Sequence, residues 1–167
     1  MALDTHLIGR VWKFGDDINT DLMYPSTVYG LPEAEQARQC FAANRPGWVD
    51  EVREGDVIVG GRNYGTGSSR PAARSLRQLG IRCLLAETIN GLFLRNAVNF
   101  GLPALAVPGV AAAFDEGDLA EIDLAAGRVR NPRTGQELQG TPLPPMLREI
   151  IAAGGLVPLL RQRGYVE

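Results

Sequence analysis

Apolar residues occur in short runs along the chain, and the spacing within each run predicts a strand or a helix. Residues 7–14, LIGRVWKF, alternate apolar and polar positions as a half-buried strand does. The runs VIVGG (57–61), IRCLLAE (81–87) and LPALAVP (102–108) are rich in aliphatic residues, as strands buried on both faces are. Residues 117–138 are typical of two strands joined by a turn. We therefore expect some parallel strands in a mixed sheet, or with a second small sheet.

Helical segments are predicted between these strands. Pro32, followed by acidic residues, opens a helix in PEAEQARQCFAA, and Pro71 suits the first turn of a helix that Gly80 ends. Two further helices are expected in INGLFLRNAVNFG, which ends at Gly101, and in LPPMLREIIAAGG, which ends at Gly154. The alternation of strands and helices predicts an α/β fold.

Composition and charge are those of an ordinary globular domain. The chain has 167 residues, 45% hydrophobic residues and a formal net charge of -2, so we expect one domain over residues 1–167. Without a basic surplus, no nucleic-acid partner is predicted. No apolar run reaches the roughly 20 residues of a membrane span. The N-terminus lacks the features of a signal peptide, so we expect a cytoplasmic protein with no membrane partner.

Cysteine and histidine are too scarce to build a metal centre from this chain. Cys40 and Cys83 are far apart in sequence and are expected to be reduced thiols. Together with His6, the single histidine, they cannot supply four ligands to zinc or to an iron–sulfur cluster. We therefore predict that the chain itself binds no metal and no cofactor.

The most distinctive stretch is GGRNYGTGSSRPAARSLRQLG, residues 60–80. It follows a predicted strand and leads into a predicted helix, an arrangement in which backbone N–H groups face anions. A P-loop would need a lysine, which this segment lacks, and a dinucleotide-binding loop would need a third glycine where Arg70 stands. A nucleotide-binding domain is therefore a disfavoured alternative, which saturable nucleotide binding would support.

The side chains of this loop suit a small carboxylic acid. Arg70 can donate two hydrogen bonds to a carboxylate, and Ser69 can add another. Gly65 and Gly67 let a ligand approach the backbone closely. From the residues alone, an equally good interpretation is that Ser68 or Ser69 caps the following helix.

Ser68 lacks the partners of a hydrolase nucleophile. The single histidine, His6, lies near the N-terminus, and no G-x-S-x-G motif is present. The loop offers substrate-binding groups and a hydroxyl, but no ordinary base. The chain alone therefore looks like half of an active site.

Four motifs, in order along the chain, resemble the small subunits of 3-isopropylmalate dehydratase, in the aconitase superfamily. GDDINTDLMYP is similar to that family's G-D-x-I-x-T-D-x-I-x-P, and GDVIVGGRNYGTGSSR is similar to its central signature. GIRCLLAETINGLFLRNAVNFGLPAL resembles the stretch after the signature helix. LREIIAAGGLVPLLRQR resembles the C-terminus of short bacterial and archaeal members. The resemblance covers most of the chain and implies an α/β fold, the swivelling β/β/α domain of the aconitase C-terminal type.

The resemblance also implies a partner and a reaction. In that family a large subunit carries a 4Fe-4S cluster on its own cysteines, and the cluster acts as a Lewis acid on the hydroxyl of a 2-hydroxy dicarboxylic acid. The small subunit contributes a serine alkoxide that removes the carbon-bound proton. Carried onto this sequence, Ser68 is the base. Ser69 and Arg70, with Gly65 and Gly67, bind a substrate carboxylate. The implied function is dehydration and rehydration of 3-isopropylmalate in leucine biosynthesis.

The sequence departs from the family pattern just after the two serines. GTGSSRPAA stands where relatives commonly have G-C-G-S-S-R-E-H-A, so Pro71 and Ala72 replace a Glu–His pair. We expect this change to remove an acidic and an ionisable side chain from the rim of the site. Ser68, Ser69 and Arg70 are intact, so the implied core chemistry is retained.

A second departure lies in the loop that meets the variable group of the substrate in this family. It corresponds here to Ser26, Thr27, Val28 and Tyr29, and it lacks the arginine of the relatives' P-A-R-Y-L or P-G-R-Y-L. Its apolar residues, with Leu31, suit an alkyl group rather than a further carboxylate. Homoaconitate and citrate are therefore disfavoured as substrates.

Two alternatives stay open at this point. One is a related hydro-lyase subunit that acts on another alkyl-malate, such as dimethylmalate or citraconate/methylmalate. The other is a non-catalytic binding or regulatory relative, which Pro71 and Ala72 would favour and the intact serines and arginine would not. Residues 62–64 either contact substrate or simply shape the loop.

Overall fold

A computed structural model describes residues 3–67 and 70–167 of the chain. Within these residues, seven strands form one mixed sheet in the order β4-β3-β2-β1-β5-β6-β7. The strands are β1 (His6–Lys13), β2 (Val57–Gly60), β3 (Cys83–Ala86), β4 (Ala104–Ala106), β5 (Leu119–Asp123), β6 (Arg128–Arg130) and β7 (Glu137–Gln139). The expected mixed sheet is confirmed, but residues 117–138 contribute to three strands rather than two.

Strand β1 joins a parallel half of the sheet to an antiparallel half. It pairs in parallel with β2, where Val11 lies opposite Val57, and β3 and β4 continue the parallel order. On its other side β1 pairs antiparallel with β5, where Ile8 lies opposite Glu121. Strands β6 and β7 extend this half as a meander. All four parallel strands therefore end at one edge of the sheet.

Helices follow each of the parallel strands, two more follow β7, and together they cover both faces of the parallel half. They are α1 (Thr20–Met23), α2 (Glu33–Ala37), α3 (Trp48–Glu51), α4 (Ala72–Gln78), α5 (Gly91–Asn99), α6 (Val110–Ala113), α7 (Pro145–Ala152) and α8 (Leu156–Gln162). The predicted helix over PEAEQARQCFAA is shorter than expected and ends at Ala37. Four residues later the chain turns at Phe41 (φ +59°), whose ring stacks on Phe14. Among the described residues, no helix is long and apolar enough to cross a membrane.

The core consists of two apolar clusters, one on each face of the parallel strands. Alternate residues of β2 divide between them, since Ile58 lies in one cluster while Val57 and Val59 lie in the other. The first cluster contains most of the large aromatic side chains, including Trp48 and Tyr64, and faces α4 and α5. We call it the aromatic cluster. Because all of β2 and β3 is buried, the positions of the loops that follow these strands are set by a packed core.

Candidate active site

Three loops meet at the edge where the parallel strands end. They follow β1, β2 and β3, and we call residues 61–70, after β2, the signature loop. Because β2 lies between β1 and β3 in the sheet, the signature loop leaves the sheet between the other two loops. Ligand sites in open α/β sheets commonly form at the carboxyl ends of parallel strands.

The loop after β1 runs beside the signature loop and extends the parallel pairing of the two strands. The amide of Gly65 donates to the carbonyl of Ile18 at 2.7 Å, and the amide of Thr20 donates to the carbonyl of Thr66 at 2.9 Å. Asn19 and Thr66 form an isolated parallel bridge. The motif GDDINTD and the central signature are therefore joined side by side by backbone hydrogen bonds.

Tyr64 fixes the other side of the signature loop. Its amide donates to the carbonyl of Thr88, and its carbonyl accepts from the amide of Asn90. The buried ring packs edge-on against Phe93 at 5.5 Å between centroids, and its hydroxyl donates to the sulfur of Met23. Burial raises the pKa of Tyr64 well above its ordinary value, so the phenol stays neutral. Tyr64 thus shapes the loop rather than facing a ligand.

The two glycines of the predicted site serve different needs. Gly65 is buried with φ +83°, and a Cβ there would lie 2.2 Å from Cγ of Phe93. Gly67 is exposed with φ +109°, and its Cβ would lie 2.9 Å from the hydroxyl oxygen of Thr20. Gly65 is therefore required by packing inside the chain, whereas Gly67 presents accessible backbone beside the two serines.

Arg70 lies at this edge with its guanidinium held by the loop after β1. Its Nη1 donates to the carbonyl of Tyr24 at 2.9 Å and pairs with Oδ1 of Asp21 at 2.5 Å. The guanidinium carbon lies 5.7 Å from the centroid of the Tyr29 ring. About a fifth of the side chain is exposed (20%), so Arg70 is anchored and still reachable from solvent.

The predicted base Ser68 and its neighbour Ser69 lie outside the described residues. The loop after β1 contacts the described chain on both sides of them, through Thr20 to Thr66 and through Tyr24 to Arg70. Helix α4 has Pro71 at its N-cap, one residue earlier than the first-turn position expected for this proline. The alternative in which Ser68 or Ser69 caps this helix concerns residues outside the described ones and stays a prediction.

The predicted selecting loop presents only part of its sequence to solvent. Residues 26–28 form one turn of 3-10 helix, with Ser26 and Thr27 exposed. Val28 is fully buried in the aromatic cluster, so the expectation that its side chain suits a substrate alkyl group is wrong. Tyr29 and Leu31 are the exposed apolar residues of this loop.

A second correction concerns the position after Pro71. Ala72 is fully buried in the aromatic cluster, and therefore its side chain does not lie at the rim of the site. Pro71, by contrast, is partly exposed. Of these two side chains, only that of Pro71 contributes to the accessible surface of this chain.

The cysteines and the histidine do not fit an iron–sulfur cluster. Cys40 and Cys83 are buried in different apolar clusters, on opposite faces of the sheet. Burial raises the pKa of both thiols, that of Cys83 to about 12, whereas cluster ligation requires thiolates. His6 is exposed at the opposite end of β1 from the site. Over residues 3–67 and 70–167, no group of three or more His, Cys, Asp or Glu side chains could hold a metal ion.

Residue-level reasoning missed two residues that touch Arg70. Asp21 and Tyr24 both lie in the first motif, GDDINTDLMYP, which was used only as a mark of resemblance. The motif itself was the available signal, because its polar residues precede an apolar run and need hydrogen-bonding or ionic partners elsewhere in the chain. The identity of that partner was not encoded locally, since Arg70 lies 49 residues after Asp21.

Comparisons with known proteins agree on one family. The model of the aconitase C-terminal domain matches residues 14–109. A 3-isopropylmalate dehydratase small subunit of Methanopyrus kandleri is 44% identical over 93% of both chains. An isopropylmalate/citramalate isomerase small subunit of Methanocaldococcus jannaschii is 42% identical over 93% of this chain and 94% of its own. A crystal structure of 3-isopropylmalate dehydratase from M. jannaschii superposes with a TM-score of 0.87, at 35% identity and 95% coverage of each chain.

Proposed function

Because the chain belongs to the family of aconitase C-terminal domains, among the 3-isopropylmalate dehydratase small subunits, we propose that it is the small subunit of a heteromeric 3-isopropylmalate dehydratase (isomerase). It is a hydro-lyase subunit of leucine biosynthesis that works only with a large subunit. Residues 1–167 would act as one swivelling domain in the cytoplasm.

One observation of the structure carries the assignment of the site. Arg70 is anchored at the edge where the three loops meet, two residues after Ser68, and it remains partly exposed. An anchored guanidinium is a strong and oriented partner for a carboxylate. This is the binding group that a 2-hydroxy dicarboxylic acid requires.

That placement supports the roles that the family resemblance implies for the chain's own residues. Arg70 would bind one substrate carboxylate, Ser69 would add a hydrogen bond to it, and Ser68 as an alkoxide would take the proton from carbon. The exposed backbone at Gly67 lets the substrate approach Ser68 closely. An oriented positive charge beside Ser68 favours the ionised hydroxyl.

The chemistry that this chain lacks is assigned to its partner. A 4Fe-4S cluster in the large subunit would supply the Lewis acid for the leaving hydroxyl. The described cysteines and histidine of this chain do not fit such a cluster, as shown above. A small subunit of this kind therefore has no complete site until the large subunit covers the edge that carries Arg70.

The selecting loop favours an alkyl group on the substrate. Its exposed apolar residues are Tyr29 and Leu31, and residues 26–31 contain no cationic side chain to bind a further carboxylate. A second candidate is a subunit that also accepts citramalate, since one relative is named an isopropylmalate/citramalate isomerase. Both candidates are alkyl-malates and would use the same contacts at Arg70.

Anaerobic reconstitution with the large subunit tests the proposal. Formation of the unsaturated diacid is followed by ultraviolet absorbance with 3-isopropylmalate, dimethylmalate, citramalate and homocitrate as substrates. We expect activity on alkyl-malates and none on homocitrate. Ser68→Ala should lower kcat by about 100-fold or more, as loss of a general base does. Thr134→Ala, which removes an exposed hydroxyl in the turn between β6 and β7, should leave kcat unchanged.

Two results would contradict the proposal. Full activity of Ser68→Ala would remove Ser68 from the role of base. Silence on every acid, with a loaded cluster and a stable complex, would identify the chain as a non-catalytic relative.

A further inference from the structure

We propose that Asp21 is a positioning residue for substrate binding, which fixes the guanidinium of Arg70 so that its free edge faces the substrate carboxylate. The inference rests on the proposed function, because it requires Arg70 to bind substrate. It assigns a role to the Thr–Asp pair of the first motif, which the reaction itself leaves unexplained.

The hydrogen bond and the ion pair of Arg70 are both made at one end of its guanidinium. Both polar contacts, to Asp21 and to the carbonyl of Tyr24, use Nη1. Nε and Nη2 donate no hydrogen bond to the residues that the structure describes. A carboxylate that accepts two parallel hydrogen bonds needs such a pair of N–H groups in one plane.

The ion pair is poorly placed to stabilise the fold. The side chain of Asp21 is 66% exposed, and exposed pairs contribute little to stability because water screens them. An arginine side chain is long and loses rotamer freedom when it binds a ligand, so fixing it beforehand strengthens binding. The pair is therefore better explained by preorganisation of Arg70 for substrate binding than by a contribution to the stability of the fold.

Helix α1, which carries Asp21, also holds the other flank of the two serines. Its cap Asn19 accepts from the amide of Leu22 at 3.0 Å and fixes the start of the helix. Thr20, next to Asp21, donates its amide to the carbonyl of Thr66. Its buried hydroxyl, without a hydrogen-bond partner among residues 3–67 and 70–167, lies beside Gly67. Two adjacent residues thus bind the loop just before and just after the serines.

The test compares Asp21→Ala with a matched control in the reconstituted complex. The control is Asp50→Ala, since Asp50 is equally exposed (66%) and is paired with Arg38 away from the site. For Asp21→Ala we expect KM for 3-isopropylmalate to rise about tenfold and kcat to change less than threefold, as loss of a preorganised binding contact does. Asp21→Asn keeps an oxygen acceptor and should recover most of the KM. The control should change neither parameter, and all variants should retain the wild-type Tm.

A double variant shows whether Asp21 acts through Arg70. Arg70→Lys keeps the charge but loses the planar pair of donors, so it should raise KM by itself. Adding Asp21→Ala to Arg70→Lys should then change KM less than threefold, because the interaction is already lost. An unchanged or lowered KM for Asp21→Ala, or full additivity in the double variant, would overturn the inference. If Arg70→Lys itself left KM unchanged, the carboxylate role in the proposed function would fail instead.

Discussion

Replacing Gly65 by alanine should destabilise the chain far more than the same change at an unpacked glycine. The new Cβ would lie 2.2 Å from Cγ and 2.3 Å from Cβ of Phe93, so rotation of the ring cannot relieve the overlap and α5 must shift. We estimate about 1–2 kcal/mol for the left-handed backbone, about 1–3 for overpacking and about 0.5–1.5 for the weakened Tyr64–Phe93 pair. The free energy of unfolding should therefore fall by about 3–6 kcal/mol.

Gly117→Ala is the matched control, because Gly117 has φ +90° and no atom within 4 Å of its added Cβ. It should lose only the backbone contribution, about 1–2 kcal/mol. Thermal unfolding followed by the fluorescence of Trp12 and Trp48 measures both variants. At about 2–4 °C per kcal/mol for a chain of this size, the Tm of Gly65→Ala should lie about 4–16 °C below that of Gly117→Ala. Equal Tm values would refute the argument that packing against Phe93 requires a glycine here.

Two further predictions concern a buried carboxylate of the fold and the selecting loop. Burial alone raises the pKa of Asp56, but hydrogen bonds from Arg10, Trp12 and a backbone amide outweigh it and hold that pKa below its ordinary value. Asp56 therefore stabilises the fold above its unfolded pKa of about 3.9, and this contribution is lost as the pH falls through the lowered folded value. Urea unfolding should show Asp56→Asn about 2 kcal/mol less stable than wild type at pH 7, with a smaller difference at pH 3. A difference that does not depend on pH would contradict the lowered pKa of Asp56. Gln36 donates to the carbonyl of Leu31 at 2.8 Å, so Gln36→Ala should free the selecting loop. The ratio of kcat/KM for 3-isopropylmalate to kcat/KM for citramalate should then change, and an unchanged ratio would count against a fixed loop.

The alternation of apolar runs predicted the parallel half of the sheet and the helices α2, α4, α5 and α7, because buried strands and amphipathic helices carry local patterns. It missed the four-residue helices α1, α3 and α6, which are too short to show a helical period, and two further elements. Strand β7 is only three residues long and two of them are exposed, so it has little pattern to detect. Helix α8 contains a proline in its first turn, where a backbone N–H would have no helical partner. A rule that treats every proline as a helix breaker therefore fails to predict this helix.

The sequence by itself determined the class of fold, the family and the chemical types at the site, since the motifs with Ser68, Ser69 and Arg70 are contiguous and readable. Only the tertiary structure decided which way the described residues around the two serines face and what they touch. Val28 and Ala72 point into the core, and Arg70 meets Asp21 across 49 residues of chain. The physical reason is that residue type and spacing are local properties, whereas orientation and partners follow from the parallel pairing of β1 with β2, which brings distant loops side by side.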